Sequence, residues 1–184
     1  MADLRHILKE DLSKLSTESV EVWPAEWRRV LPMVCDAFQL DLHDIHGLPH
    51  WTRVLINGME LTAETGANEN VLIAFALFHD CQRWNDDFDP EHGSRGAEFG
   101  RKMRQDLPSL SDIEFDLFHF AATHHSDGFT EGDVSVQTCW DADRLDLYRV
   151  AVRPCPKYLC TDAAKKPEQI ELSVSRSIEA FHPA

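Results

Sequence analysis

Residues 70–82, with the sequence NVLIAFALFHDCQ, decide the fold of this chain of 184 residues. The run from Val71 to Phe78 is apolar on every side, which is typical of a central buried helix. A buried strand is the competing interpretation of so short a run. The run leads directly into His79 and Asp80, and a buried carboxylate is costly unless it is paired or bound to a cation. The stretch therefore predicts a core element that ends in a metal site or a buried His–Asp pair.

The rest of the chain follows the 3.6-residue period of amphipathic helices, and alternating strand patterns are scarce. Pro32 should kink the first helix or mark its true start. Pro49 suits a first helical turn, Gly66 suits a C-cap, and Ser111 with Glu114 forms a capping box. Besides 70–82, helices are predicted over 25–39, 49–65, 91–105, 111–124, 136–150 and 167–181. The prediction is an all-α, single-domain helical bundle of about six or seven helices.

The length of the chain suits one domain. Residues 1–24 are polar, and we expect them to form a helical segment that packs on the domain. Residues 25–184 are expected to form the helical domain itself, with its motifs confined to residues 47–147. The part of the chain after Val150 carries no motif, and no heptad pattern in the sequence predicts an oligomeric state.

Composition limits the partners of the chain. A formal net charge of −14 repels phosphate backbones, which argues against a nucleic-acid polymer as partner. A small anionic substrate would need a local patch of cations or a metal. The five cysteines form no CxxC pair, which indicates reduced thiols and a cytoplasmic protein. The N-terminus lacks a signal-peptide pattern, and no apolar run approaches the roughly 20 residues of a membrane helix.

The pair His79 and Asp80 cannot form a complete metal site. Adjacent residues of a helix point about 100° apart, so these two side chains can contact one ion but need ligands from other helices. His50, at the head of the helix predicted over 49–65, is one candidate. Asp143, within the helix predicted over 136–150, is another.

Two other aspartates compete with Asp143 for this role. Asp141 lies two positions earlier and points to the opposite face of the helix, whereas Asp146 lies three positions later on the same face.

The order His, His-Asp, Asp resembles the HD superfamily of metal-dependent phosphohydrolases. Residues 50–54 (HWTRV), 76–80 (ALFHD) and 143–145 (DRL) resemble three motifs of that family, in order and in context. The resemblance covers about residues 47–147. It implies a metal centre built from His50, His79, Asp80 and Asp143.

Two further histidines resemble those of the subgroup that binds two metal ions. His92 lies in the stretch EHGSRGA, and His125 is followed by the small hydroxyl residue Ser126 and, two positions further on, by Gly128. His124 is the alternative to His125. By this resemblance Asp80 bridges two ions, one of which is also bound by His92 and His125. The other ion is bound by His50, His79 and Asp143.

The sequence departs from the family after the His-Asp pair. Many members continue with a small residue, Gly and Lys, whereas this chain has Cys81, Gln82 and Arg83. Arg83 is expected to take over phosphate binding, because a guanidinium binds phosphate through two hydrogen bonds. Asp80 and Arg83 are therefore the predicted catalytic residues. A Gly-Tyr-Pro motif is absent, which argues against the branch that cleaves cyclic dinucleotides.

The resemblance implies hydrolysis of a small phosphate ester or anhydride, such as a nucleotide or a dinucleoside polyphosphate. Divalent ions activate the attacking water in such enzymes. One alternative is a di-iron oxygenase of the HD type that acts on a small alcohol or phosphonate. Another is a non-catalytic module that binds a metal or a nucleotide. Mixed nitrogen and oxygen ligands do not distinguish among Mn, Fe, Co, Zn, Ni and Mg, nor between one ion and two.

Overall fold

The computed structural model of the protein describes residues 20–108 and 110–181. Within these ranges it contains seven α-helices and no strand, which confirms the predicted all-α class and bundle. The α-helices are α1 (Leu31–Ala37), α2 (Leu48–Thr65), α3 (Glu69–Phe78), α4 (His92–Lys102), α5 (Asp112–His124), α6 (Val134–Leu145) and α7 (Pro167–Phe181). Two short 3₁₀ helices span Leu147–Val150 and Pro156–Tyr158. The N-terminal segment predicted over 1–24 lies mostly outside the described residues.

Helix α3 is the buried centre of the bundle. All residues of its Val71–Phe78 run are buried, and α1, α2, α4, α5 and α6 all pack against the helix. The side chain of Asn68 caps its first turn by accepting hydrogen bonds from the backbone N–H groups of Asn70 and Val71. The strand alternative for this run is wrong, because neighbouring helices cover every face of an apolar helix instead.

Helix α3 ends at Phe78, four residues before the predicted end at Gln82. The chain turns there, since the N–H of Cys81 bonds the carbonyl of Phe78 and the N–H of Arg83 bonds that of Asp80. His79 and Asp80 therefore occupy the turn at the C-terminal end of the central helix, and not a further helical turn.

Three other predicted helices are shorter in the structure. Helix α4 ends at Lys102, three residues before the predicted end at Gln105. Helix α1 begins at Leu31 with Pro32 in its first turn, so the proline marks the start of the helix rather than a kink. Helix α6 ends at Leu145, and a 3₁₀ turn over Leu147–Val150 follows it. The predicted end at Val150 was wrong because the N–H of Asp146 bonds the carbonyl of Asp143, three residues back, which tightens the chain.

The predicted caps are confirmed. Helix α2 carries Pro49 in its first turn, and Gly66 forms its C-cap with a φ of 69°, the left-handed conformation that favours glycine. Ser111 and Glu114 form both hydrogen bonds of a capping box at the start of α5. Pro167 begins α7.

None of the helices in the described ranges combines the length and the apolarity needed to cross a bilayer.

All five cysteines are free thiols.

A close backbone approach fixes α4 against the end of α3. A Cβ atom on Gly96 would overlap the carbonyl oxygen of Phe78, a backbone atom that cannot rotate away. Glycine at this position therefore lets α4 carry its first residue, His92, close to His79 and Asp80.

Replacing Gly96 with alanine is expected to lower the free energy of unfolding by about 1–3 kcal/mol, because α4 must move away from α3. Urea denaturation measures the change. Gly132→Ala is the matched control, since a Cβ atom there would meet only ordinary contacts near 3.8 Å with Trp140. We expect the control to stay within about 0.5 kcal/mol of the parent. Equal stability of the two variants would contradict this account of the helix contact.

Candidate metal centre

Four imidazoles and two carboxylates meet at the end of α3. They reach this place from five helices or helix ends, so the fold assembles residues that are up to 93 positions apart, from His50 to Asp143. The members are His50 of α2, His79 and Asp80 at the end of α3, His92 of α4, His125 at the end of α5 and Asp143 of α6.

The first group of donor atoms surrounds the Nε2 atom of His50. This atom lies 3.0 Å from Nε2 of His79, 3.4 Å from Oδ2 of Asp80 and 3.4 Å from Oδ1 of Asp143. Nε2 of His79 lies 3.8 Å from the same two carboxylate oxygens. Ligands about 2 Å from a common ion are separated by distances of this size, so His50, His79 and Asp80 can hold one divalent cation. Asp143 lies beside the two imidazoles of this group.

The second group uses the other oxygen of Asp80. Nε2 of His92 and Nε2 of His125 lie 2.8 Å apart, and they lie 3.1 and 3.7 Å from Oδ1 of Asp80. These three buried residues can also hold a metal ion. The two oxygens of Asp80 therefore face different pairs of imidazoles, so each oxygen belongs to a separate group of donor atoms.

Hydrogen bonds on the outer nitrogen of each ring set its tautomer. Nδ1 of His79 bonds the carbonyl of Phe75 at 3.1 Å, and Nδ1 of His125 bonds that of Ala122 at 2.8 Å. Nδ1 of His92 likewise contacts the carbonyl of Asp89. A carbonyl oxygen only accepts, so each of these rings carries its proton on Nδ1.

When these rings are neutral, their inner Nε2 atoms bear lone pairs that point at one another across about 3 Å. Such lone pairs repel unless a proton or a cation lies between them. The donor set of neutral imidazoles and carboxylates therefore fits a divalent transition metal.

The electrostatics of the centre agree with this fit. Burial lowers the pKa of His79 to about 3, which keeps that ring neutral. Burial alone would raise the pKa of Asp80, but the surrounding imidazoles hold it well below its usual range. Burial would also raise the pKa of Asp143, yet His79 and Arg149 lower it. Burial would lower the pKa of His125, and the carboxylates of Asp80 and Asp143 raise it instead. The centre thus favours added positive charge.

The three aspartates of α6 and its C-terminal end contact different parts of the molecule. Asp143 points into the centre, whereas Asp141 accepts hydrogen bonds from the backbone N–H groups of Cys160 and Thr161 and anchors the C-terminal segment. Asp146 lies behind the centre, where Oδ2 accepts a hydrogen bond of 2.7 Å from Nδ1 of His50.

Asp146 is held rigidly by its other contacts. Arg53 donates to it through Nε at 2.6 Å, and the hydroxyl of Ser177 on α7 donates at 3.0 Å. Burial would raise the pKa of Asp146, but the contacts with His50 and Arg53 lower it to about 2. A carboxylate of this kind orients a ligand histidine and raises its basicity.

Replacing Asp146 with asparagine is expected to weaken binding of the first metal ion by about 10- to 100-fold. The amide carries no charge, so it no longer stabilises the imidazole of His50 as a ligand. Competition with a chelator measures the affinity. Asp141→Asn is the matched control, because it neutralises a buried carboxylate of the same helix outside the centre. An unchanged affinity in Asp146→Asn would contradict the orienting role.

His125 and His124 point in different directions. His125 faces His92, whereas Nδ1 of His124 bonds the carboxylate of Asp127 at 2.7 Å on the surface side of α5. The structure therefore brings His125 into the centre and leaves His124 outside it.

Two buried residues of the centre were missed by the sequence analysis. Nδ1 of His46 bonds Oδ2 of Asp80 at 2.9 Å, although His46 belongs to the loop before α2 and matches no motif. Nη1 of Arg149 lies 3.9 Å from Oδ1 of Asp143, and its Nε donates to the carbonyl of Ile45. In the sequence, the one signal for a role of His46 was its position four residues before His50. No signal pointed to Arg149.

Arg83 also lies in the centre and is only 7% exposed. Its Nη1 atom lies 3.4 Å from Oδ1 of Asp80 and 3.2 Å from Nε2 of His92. The predicted catalytic pair, Asp80 and Arg83, is therefore in direct contact.

The described chain is thus an all-helical domain with a buried cluster of histidines and aspartates that can hold metal. No family model, curated protein or solved structure matches the chain. Its function must therefore be inferred from the motifs and from the arrangement of these side chains.

Proposed function

We propose that the chain is a metal-dependent phosphohydrolase of the HD type that acts on a small phosphate ester or anhydride. The observation that carries the proposal is the position of Asp80, whose two oxygens face two separate pairs of imidazole nitrogens. A pair of divalent ions held by these residues would supply the chemistry of phosphoryl transfer, in which metal ions stabilise the attacking and the leaving oxygens.

Bound divalent ions would lower the pKa of a water toward neutrality and polarise the phosphoryl oxygens. The protein supplies the positions for this chemistry. His50, His79 and Asp143 would hold one ion, His92 and His125 the other, and Asp80 both. Asp146 keeps the ring of His50 in the required tautomer.

A phosphorylated substrate also fits the cations around the centre. The chain carries a formal charge of −14, yet two nearly buried arginines, Arg83 and Arg149, lie beside the carboxylates of Asp80 and Asp143. A local pair of guanidinium groups can attract and orient a phosphate in a protein whose overall charge repels one. A nucleotide or a dinucleoside polyphosphate is the substrate class to test first.

The test is release of phosphate or nucleotide products by protein loaded with Mn²⁺, over a panel of phosphomonoesters, nucleoside triphosphates and dinucleoside polyphosphates. His124→Ala and His125→Ala are matched variants of neighbouring residues. We expect metal-dependent turnover in the parent and in His124→Ala, and a loss of at least about 100-fold in His125→Ala.

Other outcomes would overturn the proposal. Consumption of O₂ on an alcohol or phosphonate by the iron-loaded protein, without hydrolysis of any member of the panel, would identify an oxygenase. Tight nucleotide binding without turnover would identify a binding module. Equal activity of the His124→Ala and His125→Ala variants would show that the reaction does not use this centre.

A further inference from the structure

Arg83 places a cation inside the second group of donor atoms. Nη1 of Arg83 bonds Nε2 of His92 at 3.2 Å and Oδ1 of Asp80 at 3.4 Å. Both atoms belong to the second group, which a second metal ion would use. The guanidinium is always charged and only donates hydrogen bonds, so it takes up the same electron pairs that the ion would need.

An ion in the second group would lie about 2 Å from Nε2 of His92 and from an oxygen of Asp80. A lone pair of His92 cannot accept an N–H of Arg83 and bind an ion at the same time. The repulsion between a guanidinium and a divalent ion at this distance adds to the conflict. Arg83 and the second ion therefore exclude each other.

Among the described residues, no cation bonds the imidazole nitrogens of the first group, and His46 bonds only Oδ2 of Asp80, an oxygen that keeps a second lone pair. Arg149 is the cation beside Asp143, and its Nη1 lies 3.9 Å from Oδ1 of that residue, beyond hydrogen-bond distance. Nε of Arg149 is bonded to the carbonyl of Ile45 and Nη1 to that of Asp146. The lone pairs of His50 and His79 remain available to an ion.

The loop over residues 84–90 holds the guanidinium of Arg83 in place. Nε of Arg83 donates to the carbonyl of Asn85 at 3.2 Å, and Nη2 donates to that of Asp87 at 2.9 Å. Asp89 closes the loop by accepting hydrogen bonds from the N–H of Trp84 and from Arg95. Arg83 cannot leave the centre without giving up its bonds to this loop.

We propose that Arg83 and a second divalent ion compete for one place between Asp80 and His92. The chain then binds one ion tightly and a second one weakly, and the second binds only when Arg83 withdraws. The inference rests on the proposed function in one respect, that the centre binds metal.

Titration of metal-free protein with Mn²⁺ tests this competition, with binding followed by calorimetry and by electron paramagnetic resonance. An isolated Mn²⁺ ion and a coupled pair of ions give different spectra. In the parent we expect the first equivalent to give the isolated spectrum and the coupled spectrum to need a large excess. In Arg83→Met we expect the second ion to bind at least about tenfold more tightly, with a smaller change in the first dissociation constant.

Arg95→Met is the matched control, because it removes the same charge and loosens the same loop without touching the centre. Arg83→Gln, a second neutral variant, covers the case in which Arg83→Met does not fold. An unchanged second dissociation constant in a folded Arg83 variant overturns the competition. An equal gain in Arg95→Met also overturns it, since the loop alone would then control the site. Failure of the parent to bind even a first ion would instead refute the proposed function.

Discussion

Replacing Asp80 with asparagine is expected to lower the rate of phosphate release by at least about a thousandfold. Oδ2 of Asp80 contacts the first group of donor atoms and Oδ1 the second, so one substitution removes a charged ligand from both. The neutral amide also leaves His46 and Arg83 without their charged partner. Steady-state assays on the best substrate of the panel, at saturating Mn²⁺, measure the loss.

Asp127→Asn is the matched control for Asp80→Asn. It makes the same chemical change in an exposed carboxylate that pairs with His124, outside the centre. We expect the control to retain the activity of the parent. A folded Asp80→Asn protein with more than about a tenth of the parent rate would contradict the bridging role.

The largest effect on stability is expected for Phe78→Ala, at about 3–5 kcal/mol in the free energy of unfolding. Phe78 is fully buried at the last turn of α3, and its ring packs on those of Phe99 and Phe118 at centroid distances of 6.0 and 5.7 Å. Truncation leaves a cavity among α3, α4 and α5 that the backbone contact with Gly96 prevents from closing. Urea denaturation followed by circular dichroism measures the change.

Phe88→Ala gives the reference for the same substitution on the surface. The side chain of Phe88 is 87% exposed in the loop over 84–90, so we expect a change of less than about 0.5 kcal/mol. Similar free energies of unfolding for the Phe78→Ala and Phe88→Ala variants would mean that α3 is not the core of the bundle.

The helical class and most of the elements could be predicted from local signals. The apolar run over Val71–Phe78 identified the central helix, and Pro49, Gly66 and the capping box of Ser111 marked helix ends. Such signals depend on residues only a few positions apart, so they can be recognised without the tertiary structure. The ends of α3 and α6 were predicted too late because turns at the site, which depend on tertiary contacts, stop these helices.

Those residues of the candidate centre that lie in recognised motifs could be predicted from the sequence. The motifs predicted the four imidazoles and two carboxylates of the two donor groups, but motif order cannot give the distance between atoms on different helices. It could not show that Asp146 bonds the outer nitrogen of His50, or that the loop before α2 brings His46 onto Asp80. The position of Arg83 was also hidden, because a hydrogen bond to His92 depends on how the loop over 84–90 folds back.

The central claim is that the buried histidines and aspartates hold metal. Plasma mass spectrometry of protein purified without a His-tag or chelator, beside Asp80→Asn, tests it most directly. We predict about one to two equivalents of a divalent transition metal in the parent and a near-complete loss in the variant. Absence of metal from both proteins, even after reloading, would contradict the claim and leave His79 and Asp80 as a buried pair without a metal.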